Sequence, residues 1–235
     1  MKKKIVVIMA ILFIHNTVYG STLSDKLVKN IIENNKVIDI DDDTITAEKV
    51  GTEINNVFLY NSDCWNLTGA VYNSPSQKIY LTYKYDNVNS KNDEIEATVN
   101  RIATEAITLK DNYEKAKFVY NYLEKYFDYS KENSPNLYDL VSDNKGNCHA
   151  FAQLYEKILT KLNIPCKSVV SVAMNHQWNI IEINGKWYNV DCSGADLLDG
   201  DRDCFFLKSD LFFGFLGYYN GIAYNNEKAE NTDFD

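Results

Sequence analysis

The sequence has no surplus of positive charge, no CxxC pair, only three histidines and, beyond its first twenty residues, no long hydrophobic run. Each absence removes a class of function. With 24 Lys and Arg against 33 Asp and Glu the formal charge is −9, so a polyanion would be repelled and nucleic acid is not an expected partner. Cys148, His149, His176, Asp191 and Cys192 supply metal-ligand types, but without CxxC or two histidines at helical spacing they do not form a closed zinc pattern. Asp199, Asp201 and Asp203 alternate as a calcium loop begins, yet Cys204 stands where such a loop needs glycine, and an acidic surface loop is the simpler reading. No metal and no cofactor is expected. Low-complexity tracts and internal repeats are absent and aromatics abundant, with 17 Tyr and 11 Phe, which points to a folded globular protein.

The one apolar run is N-terminal. Met1 to Lys4 is basic and Ile5 to Ile14 is unbroken and apolar, too short to span a bilayer. Val18-Tyr19-Gly20 follows, so residues 1–20 read as a signal peptide cleaved near Gly20. The expected destination is secreted or extracellular, including the cell surface, with no membrane anchor after cleavage. Removing three lysines and no acids takes the charge from −9 to about −12, and roughly 215 residues remain, enough for a real core. All five cysteines (64, 148, 166, 192, 204) lie in this part. An exported chain can form disulfides, and an odd count leaves one thiol over unless another chain takes it. The alternative is five reduced cysteines, most of them buried as small apolar residues.

Along the chain, Thr22 to about Asn61 reads as two short helices around Asp41-Asp42-Asp43, the second capped by Thr46. Asn66 to Asn73 and Lys78 to Tyr85 read as a hairpin across Ser-Pro-Ser. Helical spacing returns at Ile95, Val99, Ile102 and Ile107, and again from Tyr113 through Ala116, Tyr120, Leu123 and Phe127. Residues 128–145 are polar and predict a long connection. The spacing of Ala150, Phe151, Leu154, Tyr155, Ile158, Leu159 and Leu162 then predicts a helix from near Asn147 to before Asn163 and Pro165. Strand-like segments follow at Lys167–Ala173, His176–Ile183 and Lys186–Cys192, the last two joined by the hairpin signal Asn184-Gly185.

Cys148 falls in the first turn of the predicted helix, where unpaired N–H groups and the positive end of the dipole favour a thiolate. Its own N–H is placed to stabilise an oxyanion, and Gly146 would leave room for a substrate. A thiol nucleophile needs a base. His149 is adjacent on the helix and points about 100° away, which leaves His176. The two-residue turn pairs Ile183 with Lys186 and, continued, Trp178 with Asp191, so His176 and Asp191 share a sheet face as diagonal neighbours, about 7 Å apart or less at Cβ. Thiol, imidazole and carboxylate thereby fall into the roles of nucleophile, base and orienting group.

KGNCHAFAQLY, NHQWNIIEINGKWYNVD, the upstream YEKAKFVYNYLEKYFDYS and the trailing CFFLKSD, together about residues 112–210, resemble the transglutaminase-like superfamily. The resemblance implies an α+β fold with a papain-like core, its nucleophile on a helix N-terminus packed against an antiparallel sheet, and a catalytic triad of Cys148, His176 and Asp191. It also implies an enzyme that hydrolyses amide bonds or transfers their acyl group to an amine, on a protein or peptide substrate such as a cell-wall peptide. His149 and Ala150, and Cys192 after the aspartate, depart from the residues common in that family. Tyr129 is the candidate second oxyanion donor, and Trp178 and His149 are candidate pocket walls. The expected division is a signal peptide (1–20), an N-terminal α/β extension (21–90) and a catalytic core with a C-terminal tail (91–235). The competing class is a non-catalytic surface binding module that keeps the fold.

Overall fold

The computed structural model describes residues 22–42, 44–131, 136–194, 202–223 and 226–234; the expected leader, like Asp199 and Asp201, lies outside them. The chain divides into two compact units, up to Val88 and from Asn89 onward.

In the first unit, helix α1 (Thr22–Ile32) buries Leu23, Leu27 and Ile31, and α2 (Ala47–Tyr60) buries Val50, Ile54 and Val57, the three- and four-residue steps of an amphipathic helix. Thr46 caps α2 by accepting the Lys49 N–H at 3.2 Å. Strands β1 (Val37–Asp39), β2 (Leu67–Asn73) and β3 (Lys78–Tyr83) form an antiparallel sheet in the order β1-β3-β2. The hairpin lies where the Ser-Pro-Ser turn predicts it. Strand β1 has no counterpart in the sequence reading, because three residues are too few to reveal a period of two.

The second unit contains α3 (Asn89–Ala106), α4 (Asn112–Tyr126), β4 (Asp128–Tyr129), α5 (Leu137–Asp143), β5 (Lys145–Gly146) and α6 (Cys148–Lys161). Then come β6 (Cys166–Ser171), β7 (His176–Ile183), β8 (Lys186–Val190), β9 (Phe206–Lys208), α7 (Asp210–Phe215) and β10 (Ile222–Ala223). The large sheet runs β10-β6-β7-β8-β9 with every pairing antiparallel. The fold is therefore α+β. The described part of residues 128–145 is more structured than its polarity suggests: β4 and β5 pair in parallel, and α5 buries Leu137 and Leu140.

Helix α6 is the axis of this unit. It packs on β6 and β7 on one side and on α3, α4 and α5 on the others, so its buried set runs without a break from His149 to Tyr155 and on to Ile158 and Leu159. Leu154, Ile158 and Leu159 are each 0 % exposed, a burial worth about 1.5–3 kcal/mol per side chain. Asn147 starts the helix, its Oδ1 accepting the Ala150 N–H at 3.3 Å. The space beside Gly146, expected to leave room for a substrate, is filled by protein: a Cβ there would lie 3.0 Å from Leu140 Cδ1 and 3.3 Å from Ala150 Cβ. The β7–β8 turn has Asn184 at φ 55° and Gly185 at φ 78°, the two positive values of a type I′ turn. That turn sets the ladder from Ile183↔Lys186 to Asn179↔Val190.

Candidate active site

Three elements bring Cys148, His176 and Asp191 together. The cap at Asn147 sets Cys148 as the first residue of α6. His176 opens β7, where it pairs with Ser171 of β6, and Asp191 follows the last residue of β8. His176 Nε2 donates to Asp191 Oδ2 at 2.6 Å. With Nε2 so engaged, Nδ1 is the ring nitrogen open to the thiol, and the Cys148 side chain is hydrogen-bonded to His176.

Asp191 is 1 % exposed and His176 11 % at their side chains. Burial opposes charge on the imidazole, yet the Asp191 charge and hydrogen bond, with a further contribution from Cys148, outweigh it and push His176 up to about 10. Burial likewise opposes charge on Asp191. The His176 charge and hydrogen bond, and the donors Tyr218 and Ser193, nevertheless hold its carboxyl below the usual carboxylate range. The carboxylate is saturated: Oδ1 accepts the Ser193 N–H at 2.8 Å and the Ser193 hydroxyl at 2.7 Å, and Oδ2 accepts the Tyr218 hydroxyl at 2.6 Å beside the imidazole. A buried carboxylate with this donor set stays ionised and fixed in orientation.

Ring contacts fix the imidazole further. Trp178 stacks on it at 5.9 Å and 23°, and Tyr218 meets it edge-on at 5.5 Å and 71°. The Trp178 Nε1–H donates to Asn189 Oδ1, and Asn189 Nδ2–H donates to Asp210 Oδ1, both at 2.9 Å. Trp178 and His149, the expected pocket walls, are 4 % and 6 % exposed, so almost none of either side chain faces solvent. Trp178 instead backs His176. His149 is enclosed between α6 and β7, where its Nδ1–H donates to Gln177 Oε1 at 2.6 Å, and burial lowers its pKa against the opposing effect of that bond. Tyr129 is half-buried and paired with Gly146 across β4 and β5, two residues ahead of Cys148.

All five cysteines, each within the described residues, are thiols without a disulfide. Burial pushes Cys166 and Cys192 well above the ordinary thiol range, and Cys64 is buried too, while Cys148 and Cys204 are partly accessible. Among the described residues no three His, Cys, Asp or Glu side chains converge as a metal ion would require. Asp203, the described member of the acidic loop, pairs with Lys117. A cavity of about 570 Å³ lined by Tyr113, Lys117, Ile183, Phe206, Lys208 and Phe234 lies at the Ile183 end of β7, seven residues from His176 and hence ~23 Å along the strand. It belongs to the other end of the sheet.

Residues 100–192 match the sequence model of the transglutaminase-like superfamily. This segment is a transglutaminase-like core. It contains Cys148, His176 and Asp191 and stops one residue short of Ser193. Among solved structures, the chain is similar to a candidate cysteine protease from Cytophaga hutchinsonii, at 16 % identity and a TM-score of 0.36 over 46 % of this chain and 43 % of that one. It is also similar to a protein described as a TGase, at 16 % identity and a TM-score of 0.40 over 70 % and 50 % of the two chains. A third is the periplasmic domain of TgpA from Pseudomonas aeruginosa, bound to ethylmercury, at 12 % identity and a TM-score of 0.34 over 54 % and 63 %. The similarity thus spans less than two thirds of each of these chains, and the assignment of the transglutaminase-like core rests on the sequence match. No protein of curated function matches.

Two residues of the site went unread in the sequence, Ser193 and Tyr218. Ser193 had a local signal, since a serine two residues after an aspartate can return both N–H and hydroxyl to its carboxylate. Tyr218 lies outside the transglutaminase-like core, and its signal is a helix end. Gly217 sits at φ 94°, the Tyr218 N–H donates to Phe213 O at 2.9 Å and the Gly217 N–H to Gly214 O at 3.1 Å. Those are the two bonds of a Schellman motif. Its usual hydrophobic contact is the Phe213–Tyr218 ring pair at 4.4 Å, which aims the tyrosine at Asp191.

Proposed function

We propose that the protein is an exported thiol enzyme that cleaves amide bonds through an acyl-enzyme on Cys148, with His176 as base and acid and Asp191 as the group that orients it. The observation that carries this reading is the 2.6 Å bond from His176 to a buried Asp191, with the Cys148 thiol hydrogen-bonded to the same ring.

His176 Nδ1 takes the Cys148 proton, and the thiolate forms a C–S bond to the carbonyl carbon of the substrate amide. The oxyanion that develops is met by the Cys148 N–H at the start of α6 and by the Tyr129 hydroxyl. Collapse breaks the C–N bond as the imidazolium gives its proton to the departing amine or ammonia, leaving a thioester. Water, or a primary amine, then attacks the thioester while His176 takes its proton, and the thiolate leaves. Hydrolysis is the favoured outcome, because water is always present outside the cell. The substrate is a protein or peptide amide, with surface peptides within reach of an exported enzyme.

The test is incubation of a glutamine-containing peptide with a primary amine, read by product mass. Conversion of amide to acid identifies a hydrolase, and incorporation of the amine identifies a transferase. Both products should vanish in Cys148→Ala. Turnover that survives that substitution overturns the reading.

A further inference from the structure

We infer that Tyr218, contributed by the segment beyond the transglutaminase-like core, is a positioning residue for the Cys148–His176 pair, its hydroxyl holding Asp191 Oδ2 in line with the imidazole. This rests on the proposed role of the triad and adds to it a group that the matched core, ending at residue 192, does not contain.

The geometry leaves the hydroxyl one function. It donates to the same oxygen that receives His176 Nε2–H, both at 2.6 Å. Two rotatable bonds, Cα–Cβ and Cβ–Cγ, separate the carboxylate plane from its backbone, and Ser193 restrains only Oδ1. Fixing Oδ2 as well stops the plane from turning away from the imidazole, and one oxygen sharing two charge-assisted donors binds both strongly. Ring contacts fix the tyrosine's own position. Its ring touches Phe213, Trp178 at 5.2 Å and 90°, and Phe205 at 6.3 Å. The segment that carries it is tied at both ends of the site. Asn189 bonds Asp210 at the start of α7, and beyond Tyr218 the Ser171 hydroxyl donates to Tyr219 O at 2.7 Å before β10 joins β6. Gly221 lets this strap lie on Trp178: a Cβ there would come within 2.5 Å of the indole. The strap therefore reaches both rings that contact His176.

The test needs no substrate. Iodoacetamide alkylation of Cys148 is followed across the neutral range in the full chain, in Tyr218→Phe, Asp191→Asn, the double variant and His176→Ala. Tyr218→Phe keeps the ring and its packing, and thermal unfolding checks that it folds. Its alkylation rate should fall about tenfold near pH 6.5, the scale of one hydrogen bond to a charged group. In the Asp191→Asn background the same change should add less than about twofold, because the partner it positions is already altered. A Tyr218→Phe rate equal to or above that of the parent, or a full additional loss in the double variant, overturns the role of Tyr218. The triad reading fails separately, if His176→Ala alkylates at the parent's rate. Should Tyr218→Phe not fold, the imidazole nitrogen spectrum of the parent chain decides. A His176 Nε2 proton that exchanges no more slowly than those of exposed histidines contradicts a carboxylate held in line.

Discussion

His149 and Gln177, the chain neighbours of Cys148 and His176, are joined side chain to side chain at 2.6 Å. The histidine that looks in sequence like a partner of the thiol instead fastens the start of α6 to β7 one residue away from the reacting groups. Both side chains are buried, at 6 % and 3 % exposure, where a broken hydrogen bond cannot be replaced by bulk water. Gln177→Ala is expected to lower the unfolding free energy by about 1–3 kcal/mol in urea titrations. A loss under about 0.5 kcal/mol would mean that the fastening contributes little.

The two histidines couple stability to pH with opposite signs. His176 is raised from 6.5 to about 10 on folding, so its contribution is complete below pH 6.5 and is lost as pH climbs from there through about 10. His149 is lowered from 6.5, so its contribution is complete above pH 6.5 and is lost as the solution is acidified. The urea midpoint difference between parent and His176→Gln should therefore shrink on the alkaline side. That between parent and His149→Gln should shrink on the acid side. Reversal of either trend contradicts the environment described for that ring.

Gly221 is predicted to be intolerant of a single methyl group. Its added Cβ would overlap Trp178 at 2.5 Å, and the indole that must move is stacked on His176. Gly221→Ala should cost about 1–3 kcal/mol, the range for an overpacked site, and should slow Cys148 alkylation as well. Thermal unfolding together with the alkylation rate checks both effects; a neutral result in the two assays would mean that the strap shifts freely and does not brace the indole.

Much of this arrangement was legible because each part depended on a local rule. Asn184-Gly185 fixes the β7–β8 register, and the apolar spacing from Ala150 to Leu162 fixes where α6 begins. Those two rules set His176 beside Asp191 and Cys148 at the start of its helix; the choice of His176 as the partner of the thiol rests on elimination of His149 and on the family resemblance. What escaped the sequence depends on tertiary enclosure or on very short motifs. His149 lies off the apolar spacing of α6, and only the crowding of that helix on every side shows that the residue is buried. Helix α5 is seven residues long, too short for a clear period. Tyr218 is delivered by a helix end at Gly217 and a chain reversal, and spacing along one element cannot reveal a side chain that crosses to another.

The central claim is that His176 activates Cys148, and the most direct measurement is the iodoacetamide alkylation rate of Cys148 in the parent chain and in His176→Ala near neutral pH, with the modified residue located by peptide mass. The arrangement predicts that the parent reacts at least about tenfold faster, since an imidazolium held by Asp191 stabilises the thiolate beside it. Equal rates in the two proteins would contradict it.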